Sequence, residues 1–355
     1  MAPTPSLLPL GQGPRVVVYH QTHHRNDRPV SILPLITNST GVTHVIIAAI
    51  HLNDGARLTL NDDPPTAAKF QTLWSEVAWL RASGIKVLGM LGGAAKGSFT
   101  KLDGGQDQFE EYYAPLASLI RSQNLDGLDL DVEEEMSLAG IIRLIDRLRS
   151  DFGPSFLLTL APVATALVPG QKHLSGFDYA ALEAARGREI AWYNAQFYCG
   201  WGDASTVAHY AYIVDVVGWD PSKVVLGLVT NPGNGAGFVA QAVFDDVVGA
   251  IRGRFPRFGG VMGWEYFNSL PGGEERPWEW AMAMSRVVRC VMPSPVMGGG
   301  GGFAAPQMPG LPQHSFPAES VQTLKDLGFS QQAAFAALNM TGGNVEYAAG
   351  LLFQD

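Results

Sequence analysis

Leu125-Asp126-Gly127-Leu128-Asp129-Leu130-Asp131-Val132-Glu133 carries an acidic residue at every second position from Asp129 onward, with apolar residues between them. Successive side chains of an extended chain point to opposite faces. Asp129, Asp131 and Glu133 therefore share one face of a strand, and Leu128, Leu130 and Val132 share the other. The apolar face calls for a packing partner, and the acidic face points into an interior that is not plain core. Three stacked carboxylates in a partly desolvated space cannot all ionise at low cost, so at least one pKa should rise and a proton should be shared. A carboxyl that keeps its proton near neutral pH is what a general acid requires. Clustered oxygens also suit calcium or magnesium. A calcium loop, however, is turn-like with a glycine hinge, whereas here every second residue is apolar, so neither metal nor cofactor is expected. Glu134 and Glu135 continue the acidic run and read as a solvated face.

Working outward, this strand is one of eight short apolar runs spread over about residues 15–267: Val16–His20, His44–His51, Lys86–Gly92, Gly127–Glu133, Phe156–Val163, Ile190–Tyr198, Val224–Thr230 and Gly260–Phe267. Helix-length segments lie between most of them: Ala67–Ala82, Phe109–Gln123, Leu138–Asp151, Val207–Val217, Val239–Phe255 and, after the last run, Trp278–Arg289. Only the stretch after Val163 is unclear, with Phe177–Arg186 as a short helix at best. Strands alternating with amphipathic helices predict a parallel sheet, and a count of eight predicts closure into a (β/α)8 barrel, an α/β fold. The alternative is an open doubly wound sheet, but no glycine-rich phosphate loop follows the first strand. In a barrel the acidic face lines the lumen, and Glu133 stands nearest the C-terminal rim, where such barrels place their chemistry.

The 355 residues carry a net charge of −9, with 46% hydrophobic and 16% charged residues. Lys and Arg never cluster, so the electrostatic basis for nucleic-acid binding is missing. No apolar stretch approaches the roughly 20 residues that span a bilayer, and the opening MAPTPSLLPLGQGPR lacks a signal-peptide core. A cytoplasmic location without membrane contact is expected. Cys199 and Cys290, the only cysteines, form no C-x-x-C pair, so neither a disulfide framework nor a zinc site is suggested.

The string from Asp126 to Glu133 fits the DGxDxDxE signature of glycoside hydrolase family 18, the chitinases and endo-β-N-acetylglucosaminidases, and the chain resembles that family. Supporting matches are Lys86–Gly93 on the third strand, with Met90 in place of the Ser of the family's SxGG, Asn194-Ala195-Gln196-Phe197-Tyr198 on the sixth and Gly260–Trp264 on the eighth. Longer strings, Trp192–Tyr198, Asp151–Pro154 and Gly263–Gly273, resemble the fungal endo-β-N-acetylglucosaminidases. The resemblance covers about residues 14–292, after an N-terminal tail of residues 1–13. It implies retaining hydrolysis in which the sugar's own 2-acetamido oxygen is the nucleophile, an exception to the two-carboxylate scheme. Glu133 would be acid and then base. Asp131 would hold the acetamido N–H, with Asp129 behind it as proton and charge partner, and Tyr198 would bond the acetamido carbonyl. Trp192, Asn194 and Gln196 share the face of Tyr198 and are expected to bind substrate. Trp264 would be the floor under the reacting sugar; on composition alone it could equally be a core aromatic. His20, His23 and His24 resemble a metal cluster but, without Cys or a carboxylate motif nearby, are expected to line the substrate.

One helix-length segment separates the last two strands, Thr230 to Gly260, so no inserted domain walls a deep groove. That favours a branched N-glycan, cut between its two core N-acetylglucosamines, with a chitinase acting on chitin oligomers as the alternative.

Helical patterning stops near Pro293, and residues 293–315 form a Gly- and Pro-rich linker. Three short helices then follow within residues 316–355: Ala318–Leu327, Gln331–Asn339 and Val345–Phe353. Leu327-Gly328-Phe329, Thr341–Glu346 and Ala348–Leu352 resemble a ubiquitin-associated domain, a three-helix bundle. The resemblance implies ubiquitin as partner, with Gly328, Phe329 and Leu352 as contacts. Phe329 could instead be core in so small a bundle. An adaptor that brings glycan cleavage to ubiquitylated glycoproteins is a further reading.

Overall fold

The computed structural model describes residues 13–289 and 317–327, together with Leu338 and Val345. The chain divides into two units, Met1–Val291 and Met292–Asp355.

All eight expected strands form: β1 (Arg15–His20), β2 (His44–Asn53), β3 (Lys86–Gly92), β4 (Gly127–Asp131), β5 (Leu157–Leu160), β6 (Trp192–Gln196), β7 (Val224–Val229) and β8 (Gly260–Trp264). They run parallel in sequence order, and β1 pairs with both β8 and β2, which closes the barrel. A strand at Arg57–Leu60 folds back antiparallel on β2. Helices α1 (Gln71–Ala82), α2 (Gln106–Ser122), α3 (Leu138–Phe152), α4 (Tyr179–Arg186), α5 (Gln241–Arg254) and α6 (Trp278–Arg289) follow the periodicity of the sequence. The Val207–Val217 segment is instead one α turn, Ala208–Ala211, running into a wider π turn, Tyr212–Val217. Helix α3 shows how the covering layer is made. Ser137 caps it by accepting from Gly140 N at 2.9 Å, and Ile141, Leu144, Ile145 and Leu148 recur at helical spacing and are buried.

Two apolar clusters follow from strand alternation. The outer faces of the strands, Leu128 and Leu130 among them, pack with the helices into the large core. Inside the barrel Val17, Tyr19, Ile46, Leu88, Met90, Trp192 and Met262 join a smaller cluster. The lumen is thus a packed core with a polar top. At its lower end Asp126 accepts from Arg81 Nε (2.9 Å), Lys86 Nζ (3.3 Å) and Val87 N (3.0 Å), tying β4 to β3 and α1. Burial opposes ionisation of Asp126, but these partners hold its pKa below the usual value. The first aspartate of the motif is structural.

In the second unit a helix runs over Ala318–Asp326, with Val321 and Leu324 buried. The other two helices expected there, and Gly328, Phe329 and Leu352, lie outside the described residues.

Candidate active site

Strand β4 ends at Asp131, two residues earlier than the alternation suggests, so Glu133 rises on the loop beyond it. The neighbouring β3 pairs with β4 as far as Gly92 opposite Asp131 and bends there at Gly92 and Gly93, both at positive φ (95° and 91°). A Cβ on Gly92 would come within 2.4 Å of the Asp131 carbonyl oxygen, so only glycine permits this approach. Gly93 N in turn donates to that carbonyl at 2.9 Å.

The ladder has a different environment at each height. Asp129, at the bottom, is fully buried and accepts from Tyr19 Oη (2.7 Å), Asn194 Nδ2 (3.0 Å) and the Thr159 hydroxyl. Asn194 is itself oriented by Trp192, whose Nε1 donates to Asn194 Oδ1 at 2.9 Å. Above it, Asp131 and Glu133 share one amide: Gln196 Nε2 lies 3.2 Å from Asp131 Oδ1 and 3.3 Å from Glu133 Oε1, and also donates to Ala161 O at 2.9 Å. Glu133 is partly exposed, whereas Asp131 is buried. The ionisation pattern follows. Burial raises the pKa of Asp129, and its three donors restrain the rise. Burial and then the charges of Glu133 and Asp129 push Asp131 well above the carboxylate range. Glu133 is also raised, by burial, against the pull of Gln196 and Lys96. Asp129 has three donors to support a negative charge, and the pair above it has one, so the shared proton belongs to the Asp131–Glu133 pair.

Tyr198 is buried at the rim end beyond β6, and burial, then Asp131 and Glu133, keep its hydroxyl protonated as a donor. Trp264 is partly exposed at the end of β8 and meets Tyr19 edge-on at 5.6 Å. Its carbonyl accepts from Thr230 N (2.8 Å) and Asn234 Nδ2 (3.3 Å). The next residue, Glu265, has its carboxylate bound by Gln21 N, Thr22 N and Thr22 Oγ1 at 2.8–3.1 Å. The loops after β1 and β8 are therefore latched together beside Trp264.

Three expectations change. Trp192 and Asn194 were expected to touch substrate, but they are 1% and 0% exposed, Asn194 bonding Asp129 and Trp192 bonding Asn194. The Trp192 ring is covered by the Arg15 guanidinium (4.5 Å) and His44 (4.7 Å). Their work is to fix Asp129, not to contact sugar. Glu134 is not a solvated residue: it is buried and accepts from Gly97 N and Phe99 N, both at 2.8 Å, bracing the turn that opens the helix Ser98–Leu102. His20 and His23 do not line an open surface. They are buried, meet edge-on at 4.8 Å and are enclosed by Tyr266 and Phe70, and burial lowers both pKa values. No cluster with metal-ligand geometry occurs among the described residues. Tyr19 and Thr159 were not singled out by the sequence; each lies on a strand with no motif of its own, although Thr159 is the one polar residue of β5.

Closed barrel, acid at the rim and a carboxylate stack beneath it define a glycoside hydrolase. The model for glycosyl hydrolases family 18 matches residues 15–232, and the chain belongs to that family. It is 58% identical to a chitinase of Aspergillus fumigatus (77% of this chain, 98% of that one, TM-score 0.71). It is 48% identical to a fungal endo-β-N-acetylglucosaminidase of the same family (78% and 98%, TM-score 0.75). A 50-residue stretch is 56% identical to DNA damage-inducible protein 1 of Chaetomium globosum and covers 14% of this chain but only 11% of that protein.

Proposed function

We propose that the protein is an endo-β-N-acetylglucosaminidase that hydrolyses the GlcNAcβ1-4GlcNAc core of N-linked glycans with retention of configuration, using the substrate's acetamido group as nucleophile. The observation that carries the mechanism is that Asp131 and Glu133 stand on one chain segment and share the Gln196 amide. A two-carboxylate retaining scheme needs a nucleophile on the face of the sugar opposite the acid. Two carboxyls stacked on one chain segment are poorly placed to take both parts, which supports the sugar's own acetamido group as nucleophile, as the family resemblance implies.

In this reading Glu133 protonates the leaving oxygen and then, as carboxylate, takes a proton from the attacking water. Asp131 accepts from the acetamido N–H and, once Glu133 has given the shared proton to the leaving oxygen, stabilises the oxazolinium ring as a carboxylate. Tyr198 donates to the acetamido carbonyl as it attacks. Trp264 carries the apolar face of the sugar.

N-glycan as substrate is supported by the 48% identity with a fungal endo-β-N-acetylglucosaminidase. The connection between β7 and β8 supports it too, since it holds only a short turn and α5 and builds no wall across the mouth. The second reading is a chitinase with the same residues, favoured by the 58% identity with one. For the C-terminal unit we hold to ubiquitin binding through Gly328, Phe329 and Leu352, supported by its motifs and by the short match to DNA damage-inducible protein 1. The cytoplasmic assignment is kept as part of this proposal; no helix among the described residues is long and apolar enough to cross a membrane.

The test is to incubate the protein and Glu133→Gln separately with an N-linked glycopeptide and a chitin oligomer and weigh the products. Release of glycan that leaves one N-acetylglucosamine on the peptide, lost in the variant by about 10³-fold or more, supports the proposal. Cleavage of chitin alone moves the protein to the second reading.

A further inference from the structure

The lumen cluster has four partly exposed apolar residues against it, Leu157, Ala191, Phe238 and Trp264. Leu157 opens β5 and Ala191 directly precedes β6, so both lie at the lower end, away from the chemistry. The pair at the mouth is aromatic. Trp264 is the floor already assigned, which leaves Phe238 without a role.

Phe238 sits on Asn231–Ala240, the loop that leaves β7, and this loop is held on both sides of the barrel mouth. At its base Asn234 and Asn268 exchange side-chain amide hydrogen bonds at 2.9 and 2.8 Å, fastening it to the loop that follows Trp264. Nearer Phe238, Cys199 N donates to Ala236 O at 2.9 Å, fastening it to the residue after Tyr198. Gly237, at φ 86°, passes so close to Tyr198 that a Cβ there would lie 3.3 Å from the Tyr198 Cα. A segment pinned at two points and shaped by glycine delivers one aromatic ring to the rim beside the acetamido-binding tyrosine. A partly exposed phenyl ring left at the mouth costs apolar exposure unless a ligand covers it.

We infer that Phe238 is a second sugar platform, stacking on the apolar face of the pyranose adjoining the reacting N-acetylglucosamine, and that the Asn234–Asn268 pair holds its spacing from Trp264. The inference rests on the reading of the mouth as a site for β-linked N-acetylglucosamine. A platform for a neighbouring ring holds substrate and transition state equally, so its loss raises KM and leaves kcat alone.

The experiment measures kcat and KM of wild-type, Phe238→Ala, Phe238→Leu and Phe238→Trp on the N-linked glycopeptide, with melting curves for each. KM should rise about tenfold for Ala and Leu with kcat within about twofold, while Trp should stay near wild-type. A Leu variant equal to wild-type would mean that apolar volume suffices and would overturn the platform, as would an unchanged KM in Ala or a loss confined to kcat. If Ala does not fold, the Leu and Trp variants decide. An inactive wild-type on the glycopeptide sinks the N-glycan reading instead, and the same four proteins are then compared on the chitin oligomer.

Discussion

The lower and upper halves of the carboxylate ladder stand on one short chain segment and are both made of carboxylates, yet they are wired differently. Asp129 is enclosed by three donors from β1, β5 and β6, one of them aligned in turn by Trp192. Asp131 and Glu133 have one amide between them. Donor count, not burial alone, separates a carboxylate whose rise in pKa is restrained from a pair above it that shares a proton. In the proposed mechanism the lower half stays fixed while the upper half changes protonation during each turnover, which a heavily donor-bound carboxylate resists.

The largest expected effect breaks the upper half. Asp131→Asn removes the charge that supports the cyclic cation while leaving the shape, and kcat should fall about 10²–10³-fold with little change in melting temperature. An activity within threefold of wild-type would place the charge elsewhere. A smaller effect comes from the lower half: Tyr19→Phe takes away one donor from the buried Asp129 carboxyl, and kcat should fall about tenfold. Asp129 touches no substrate in this account, so KM should stay unchanged, and a rise in KM would put Tyr19 in the binding site. The smallest effect sharpens the difference between halves. The rate requires protonated Glu133, whose pKa lies above its usual value, so kcat/KM is lost as pH rises through that raised value. Gln196 pulls the pKa down by bonding the carboxylate, so in Gln196→Leu the alkaline limb should move to higher pH. A downward move would show that the amide supports the acid form.

Much of this was legible beforehand because barrel strands repeat a simple pattern. Eight apolar runs at helix-length intervals gave the barrel, and the period of two in Leu128–Glu133 gave the acidic face, with Asp129 and Asp131 on one side of β4. What the period cannot encode is height along the barrel. Trp192, Asn194, Gln196 and Tyr198 share a face, but their partners differ: Asn194, held by Trp192, meets buried Asp129, whereas Gln196 meets Asp131 and Glu133. Donors to Asp129 were equally hidden, since Tyr19 and Thr159 are brought to it by closure of the sheet and not by any local motif. Glu134 shows the reverse case. Its neighbours suggest solvent, but the strand has already ended, and the chain turns its side chain toward the amides of Gly97 and Phe99.

The claim on which the rest depends is that no protein carboxylate attacks the sugar. Proton NMR of the first minutes of hydrolysis of the released N-acetylglucosamine terminus tests it most directly when repeated with a substrate whose reacting sugar carries a hydroxyl in place of the 2-acetamido group. The account predicts a β-anomer first from the natural substrate and no measurable turnover of the hydroxyl analogue. An α-anomer first, or comparable turnover of the analogue, would contradict it.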